Sequence, residues 1–341
     1  MPLALPAVQA WILDESPGAY RLGEIATPQP GPGEVRVAVV ASALNHMDLW
    51  VTKGLPKPPT PHVPGADGAG IVDAVGEGVS TVAPGDEVVL NPAISCRRCA
   101  LCLAGESPLC RSFGIMGEHR WGAHADHVVV PVENVVAKPA RLGWDEAAAY
   151  PLAYLTAWRM LKRARLRAGE TLLVVGVGGG VSAAGLVLGT AMGARVFATS
   201  RSEAKRAAAV ALGADDAFDS GDDWPVRADV VFENVGAATW IRSLRALGPL
   251  GRLVTCGGTA GSTVEISLPR LFFKQHEIIG STLGSYAEFD EVTAFVAGGR
   301  VPVVVDEIVD GLGAYPDALH RLEAGEQLGK IVVRHRTMAA A

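Results

Sequence analysis

Thr171-Leu-Leu-Val-Val-Gly-Val-Gly-Gly-Gly-Val-Ser-Ala-Ala-Gly185 is the stretch on which the fold turns. Its first five residues form a continuous apolar run with β-branched members, which reads as a strand buried on both faces. From Val181 to Met192 the residues are small and apolar enough for a helix packed tightly on a sheet, and the glycines between mark a tight turn. The alternation continues. Arg195–Thr199 reads as a second strand, Glu203–Leu212 as a helix, and Asp229–Phe232 and Gly251–Thr255 as further strands. Strands alternating with helices over this distance predict an α/β fold with a parallel, doubly wound (Rossmann) sheet.

Gly178-Gly179-Gly180-Val181-Ser182-Ala183 fits the Ala-ended dinucleotide fingerprint, in which residues without side chains let the backbone approach a pyrophosphate at a helix N-terminus. The same glycines also suit a turn with no ligand, so the weight rests on the strand and helix context around them. NAD sites place a carboxylate at the end of the second strand. Here the chain reads Thr199-Ser200-Arg201-Ser202, with Lys205 one helical turn on. A hydroxyl and two cations suit a 2′-phosphate, so NADP(H) is the expected cofactor.

With 341 residues, the chain has ample length for two domains. An apolar fraction of 49% and a charged fraction of 19% describe a globular protein rather than a disordered one. A formal net charge of -6 argues against a nucleic-acid footprint. The locally basic run Arg159 to Arg167 reads as a solvated helix face. No apolar stretch reaches membrane-spanning length, and Asp14-Glu15 comes too early for a secretory signal, so a cytoplasmic, reducing setting is expected. Arg336-Thr-Met-Ala-Ala-Ala341 reads as a frayed tail.

The first part of the chain reads as mostly β. A rigid turn at Pro28 to Gly33 precedes Glu34–Val40, and further strands are predicted at Gly70–Val75, Glu87–Leu90 and His127–Val130. The strand and helix alternation begins only near Asp145. Cys96, Cys99, Cys102 and Cys110 form a C-x2-C-x2-C-x7-C cluster in a lobe over about 91–112. Four thiolates satisfy tetrahedral zinc with no open position, which describes a structural site, and a reducing compartment disfavours the competing disulfides. The fifth cysteine, Cys256, reads as a small buried residue.

These motifs together resemble the medium-chain dehydrogenase/reductase superfamily of zinc alcohol dehydrogenases and quinone oxidoreductases. The resemblance covers essentially the whole chain and includes Gly65-Ala-Asp-Gly-Ala-Gly70, Pro84-Gly-Asp86, the four-cysteine lobe, the glycine-rich turn and Gly329-Lys-Ile-Val-Val333. It implies a GroES-like catalytic domain over 1–150, a Rossmann domain over 151–290 and a return to the first domain over 291–341. It also implies a homodimer or homotetramer, with the strand near Glu277 to Ser281 as a candidate edge between subunits.

The chain departs from the zinc branch at the catalytic metal. Where that branch has a cysteine ligand this chain has Asn45, where it has a histidine it has Ala66, and near the third ligand it has Leu152. Amide, methyl and isobutyl groups cannot replace two thiolates and an imidazole. The alcohol proton relay is missing too, because Met47 and Trp50 stand in its place. The active centre therefore resembles the zinc-independent reductases. The expected reaction is hydride transfer from NADPH to the activated C=C bond of a small apolar enone or enal, or to a quinone, because a conjugated alkene needs less polarisation than a simple ketone. A carbonyl reductase or alcohol dehydrogenase with unconventional metal ligands, and a cofactor-binding protein without turnover, are the alternatives.

In this reading Asn45 fixes the nicotinamide or the substrate carbonyl, and Asp48 and Asp67 brace the floor of the pocket. The resemblance implies that His46 faces the pyrophosphate, that Thr156 packs on the nicotinamide and that Lys330 and Asn234 lie near the cofactor. Gly257, Gly258, Leu283 and Gly284 are expected to border its nicotinamide half. Leu55, Ile115, Met116 and Trp121 hint at an apolar pocket, with plain core as the competing reading of each. Among His62, His119, His124 and His127 no compact metal spacing is visible, and His119 is the candidate proton donor.

Overall fold

A computed structural model describes residues 6–335; the tail read at 336–341 lies outside the described residues. The chain divides into two compact units. One takes the described residues up to Leu152, Ser285–Thr293 and the described residues from Val305, and the other takes Ala153–Gly284 and Ala294–Val304.

The second unit carries the six-stranded sheet that the glycine-rich stretch predicts. Its strands lie in the order Asp216–Phe218, Arg195–Thr199, Thr171–Val174, Ala228–Glu233, Leu247–Thr255 and Glu277–Gly280. All adjacent pairs are parallel, with Leu172 opposite both Val196 and Val230. This is the doubly wound order that places a ligand crevice at the carboxyl ends of the strands. The helix Gly180–Ala191 packs closely because it carries glycines where it meets the sheet. A Cβ at Gly185 would lie 2.9 Å from the Phe232 ring, and one at Gly189 would collide with Leu172.

Val35, Val37, Val72, Val88, Leu90, Val128 and Val130 form the main core of the first unit. They come from strands of a seven-stranded sheet in which Glu34–Ala43 pairs antiparallel with Lys330–Arg334, Asp67–Val75 and His127–Pro131. Burying each such side chain contributes on the order of 1.5–3 kcal/mol. The pairing with Lys330–Arg334 brings the end of the chain beside residues near 40, and so beside Asn45. No helix among the described residues is long and apolar enough to cross a membrane.

Two local expectations are corrected. Arg159 does not sit on a solvated face: it is 4% exposed, four residues after the buried Leu155 on the helix Pro151–Arg163, and therefore on the buried side. The other cations of that run, Lys162, Arg163, Arg165 and Arg167, are exposed. Met116 is not a pocket residue but a fully buried member of the valine core.

Candidate functional site

The turn after Thr171–Val174 is made by Gly176, which takes φ +72 and lies outside the Gly178–Ala183 motif. Its N–H donates to Thr199 Oγ1 at 3.0 Å and the next N–H, of Val177, to Thr199 O at 2.7 Å. The end of the second strand thus holds the loop in shape. A Cβ on Gly176 would lie 2.6 Å from Val235 Cγ2, so only glycine fits. The helix then starts at Gly180 with Gly179 as its N-cap. No side chain caps it, and a Cβ at Gly179 would meet nothing within 4 Å. Free N–H groups at an open helix start are what an anion needs.

At the far end of this loop Ser200 is buried and accepts from the Ser202 N–H at 3.2 Å. Arg201 is exposed, and Lys205 is half-buried in the first turn of Glu203–Ala211. The reading of the sequence passed over Arg206. Its guanidinium donates to Ser200 O and to Asp219 Oδ2, both at 2.8 Å, so Asp219 is held in an ion pair. No carboxylate stands among Thr199–Ser202.

Glu233 also escaped notice in the sequence, although a lone acid closing an apolar strand is a visible signal. It is fully buried and accepts from the N–H groups of Val235 (2.6 Å) and Gly236 (3.0 Å) and from the hydroxyls of Thr239 and Ser243. Asn234 beside it donates to Ser182 Oγ at 3.0 Å, tying this strand end to the start of the helix. Gly258 packs against the backbone of Gly236 and Gly261, Leu283 is buried at φ +39, and Gly284 leaves no room for a Cβ beside Leu155. Gly257 is half-buried and Thr156 buried. Cys256 is half-buried, and burial together with the Glu233 carboxylate pushes its thiol up to about 12, so it is no nucleophile at neutral pH.

In the first unit Asn45 precedes the helix His46–Thr52. Asp48 is buried in this helix's first turn, where it accepts from the Asn45 N–H (2.8 Å) and the Gly65 N–H (3.2 Å). The Asn45 amide donates to Asp67 Oδ2 at 2.8 Å, and its Oδ1 accepts from Lys330 Nζ at 2.6 Å. The Lys330 ammonium, 3% exposed, also reaches Leu44 O at 2.6 Å and Asp67 Oδ2 at 2.7 Å. Asp67 Oδ1 is taken by the Leu152 N–H at 2.7 Å. At the three positions where the resemblance to the zinc branch expects metal ligands, the chain has an amide engaged at both ends, a methyl and an isobutyl group. Ala66 lies in an apolar cluster with Leu13, Met47 and Val51, and Leu152 packs against it. This donor set does not fit a catalytic zinc. The His46 imidazole beside it is held neutral, its pKa lowered by burial and then by the Lys330 cation.

The loop 114–122 is joined to the same region by glycines. A Cβ on Gly117 would lie 2.6 Å from the Gly65 backbone, and one on Gly122 would run into Gly65 O. His62 is hydrogen-bonded to Gly117 O, His124 to Ser42 Oγ, and His127 pairs with Asp73, so these histidines are engaged individually rather than converging on an ion.

The four cysteines do converge. Among the described residues they are the group able to hold a metal, with their sulfurs all within 4.8 Å of one another. The Cys99–Cys102, Cys96–Cys110 and Cys96–Cys102 separations are 3.5, 3.4 and 3.9 Å. Tetrahedral zinc with Zn–S bonds of about 2.3 Å sets sulfurs about 3.8 Å apart, whereas a disulfide needs about 2.05 Å. The lobe therefore fits zinc, and the backbone N–H groups of Arg98 and Cys99 already pull the Cys96 thiol down to about 6, towards the thiolate a metal binds.

Two family models match the chain. Residues 31–140 match the alcohol dehydrogenase GroES-like domain and residues 180–298 the zinc-binding dehydrogenase domain. The acryloyl-coenzyme A reductase of Metallosphaera sedula is 31% identical over 321 residues, spanning 92% of this chain and 96% of its own length. The crystal structure of an NAD-dependent alcohol dehydrogenase, 41% identical, superposes with a TM-score of 0.90 over 96% of this chain and 99% of its own. A 2-octenoyl-CoA carboxylase reductase, CinF, solved with NADP and 2-octenoyl-CoA, is 25% identical with a TM-score of 0.90 over 99% of this chain and 90% of its own.

Proposed function

Because the chain belongs to the medium-chain dehydrogenase/reductase superfamily and is an oxidoreductase of that kind, we propose that it is an NADPH-dependent reductase that delivers hydride to the activated C=C bond of an enone or enal, or to a quinone. The observation that carries this reading is the replacement of the catalytic metal's ligands by Asn45, Ala66 and Leu152, with a buried ammonium bonded to Asn45 and Asp67. Without a Lewis acid the site suits a substrate whose carbonyl is activated by conjugation. The relatives that reduce enoyl thioesters, by their names, support the same choice.

NADPH, when bound, supplies the hydride for the β-carbon. The residues of this chain do the rest. Gly176 and the uncapped start of the helix Gly180–Ala191 receive the pyrophosphate. Ser200, Arg201 and Lys205 receive the 2′-phosphate, with Arg206 holding Ser200 O in place. Lys330 and Asp67 fix the Asn45 amide, whose second N–H makes only a long bond of 3.4 Å to Ala43 O that an oxyanion would replace. The Cys96, Cys99, Cys102 and Cys110 lobe holds a structural zinc that fixes a surface loop and takes no part in the chemistry.

The edge strand Glu277–Gly280 and the neighbouring helix Leu268–Lys274, with Phe272 59% and Phe273 79% exposed, are the surface on which a second copy would assemble into a dimer. A reducing, cytoplasmic setting suits five unpaired thiols.

Incubation with NADPH and a conjugated enone, followed by product analysis, tests the reading. A saturated ketone supports hydride delivery to the β-carbon. The NAD-dependent alcohol dehydrogenase that is 41% identical favours a second reading, carbonyl reduction with NADH. An allylic alcohol as product would establish that one, and tight NADPH binding without any product would leave a cofactor-binding protein.

A further inference from the structure

Reduction of an enone leaves an enolate that needs a proton at its α-carbon, and six ionisable groups of the first unit around Asn45 and its sheet are committed elsewhere. Asp67 is held by Lys330, Asn45 and the Leu152 N–H, and Asp48 caps a helix. His124 and His335 are bound to Ser42 in the core. His46 is held neutral, and a neutral imidazole is a weak acid. The Nδ1 of His119 accepts the Ile115 N–H at 3.2 Å.

Glu118 stands apart from these. Its side chain is 13% exposed, and among the described residues no group donates a hydrogen bond to its carboxyl; the nearest ionisable atom is His119 Nδ1, 3.5 Å from Oε1. The loop that carries it is fixed against the segment leading to Asp67. Gly117 and Gly122 pack on Gly65, the Gly122 N–H donates to Val63 O, and the Ala123 N–H donates to Gly65 O. Ile115, three residues before Glu118, packs against the buried cluster of Leu13, Met47, Val51 and Ala66, on which Leu152 also packs. The charged and titratable groups around the loop are His119 and Arg120 on the loop itself, with Arg120 paired to Glu34, and His62, Asp48 and His124 from the elements packed on it. None of them offsets the burial of Glu118, which raises its carboxyl to about 7.

We infer that Glu118 is the acid that protonates the α-carbon, an assignment that rests on the enone reading above. The carboxyl O–H bond breaks, the enolate's electron pair forms the new C–H bond as its C=O is restored, and a carboxylate remains. Solvent at the half-exposed His119 edge returns the proton.

The test compares wild type, Glu118→Gln and Glu118→Asp with NADPH and cyclohexenone across the neutral pH range. Wild-type kcat is expected to fall above about pH 7, because the acid must be protonated. Glu118→Gln is expected to lower kcat by roughly 10²-fold or more with little change in KM, and to remove that fall. Glu118→Asp should retain part of the rate and a pH-dependent limb. In D2O, wild type should place deuterium on one face of the α-carbon, and Glu118→Gln on both. A structural role would move none of these profiles. A Glu118→Gln enzyme with wild-type kcat and the same pH limb overturns the assignment while leaving the enone reading standing. A wild type that makes no saturated ketone overturns the reading, and the assignment with it.

Discussion

Replacing Lys330 with methionine removes a single charge from a site where every partner depends on it. The ammonium is 3% exposed and is bonded to Asp67 Oδ2, Asn45 Oδ1 and Leu44 O at 2.6–2.7 Å. Methionine fills the same volume, so the loss is electrostatic: the Asp67 carboxylate, itself fully buried, keeps only the Asn45 and Leu152 donors. Breaking a buried pair from one side costs about 3–5 kcal/mol. For a unit of this size that corresponds to a Tm lower by roughly 6–20 °C. Thermal unfolding of Lys330→Met, Asp67→Asn and the double variant measures it. The double variant should lose less than the sum of the single ones, by about 2 kcal/mol, because the amide that replaces the carboxylate in that background is neutral and needs no counter-charge. A single variant that loses less than about 1 kcal/mol, or strictly additive losses, would refute the idea that this cation organises the site.

Arg201→Ala is expected to weaken NADPH binding roughly ten-fold and leave NADH binding unchanged, read by fluorescence titration of the two cofactors. Cys110→Ser should yield a chain without zinc where the wild type carries it, measured by elemental analysis of the dialysed proteins. Acid sensitivity should trace to His335, whose imidazole burial depresses from 6.5 to about 3. The unfolded chain takes up that proton first, so stability is intact above about pH 6.5 and falls at about 1.4 kcal/mol per unit below it. Denaturant midpoints between pH 7 and 5 should therefore slope less for His335→Gln than for wild type.

The parallel sheet was legible because its strands are short, apolar and β-branched and their order follows from the alternation with helices. Glu87–Leu90 and Arg195–Thr199 begin and end where the residues themselves suggest. The cysteine lobe was legible because its ligands are close in sequence. What stayed hidden depends on chain segments far apart. Lys330 is 285 residues from Asn45, and its bonds to Asn45 and Asp67 arise only because Lys330–Arg334 pairs with Glu34–Ala43. Gly176 was passed over because three later glycines fit a motif equally well, and only the crowding by Val235 singles it out. Arg159 escaped for the opposite reason: cations near it in sequence are solvated, and nothing local shows that a helix turns this one inward.

The contact of Gly117 and Gly122 with Gly65 has a consequence for protein engineering. A methyl group on Gly117 or Gly122 would run into the Gly65 backbone and one on Gly65 into His124, so none of the three can be enlarged unless backbone retreats. Random libraries selected for new substrates should leave all three untouched. Improved clones should instead carry changes at His119, a neighbour whose exposed side chain can change in size without parting the loops.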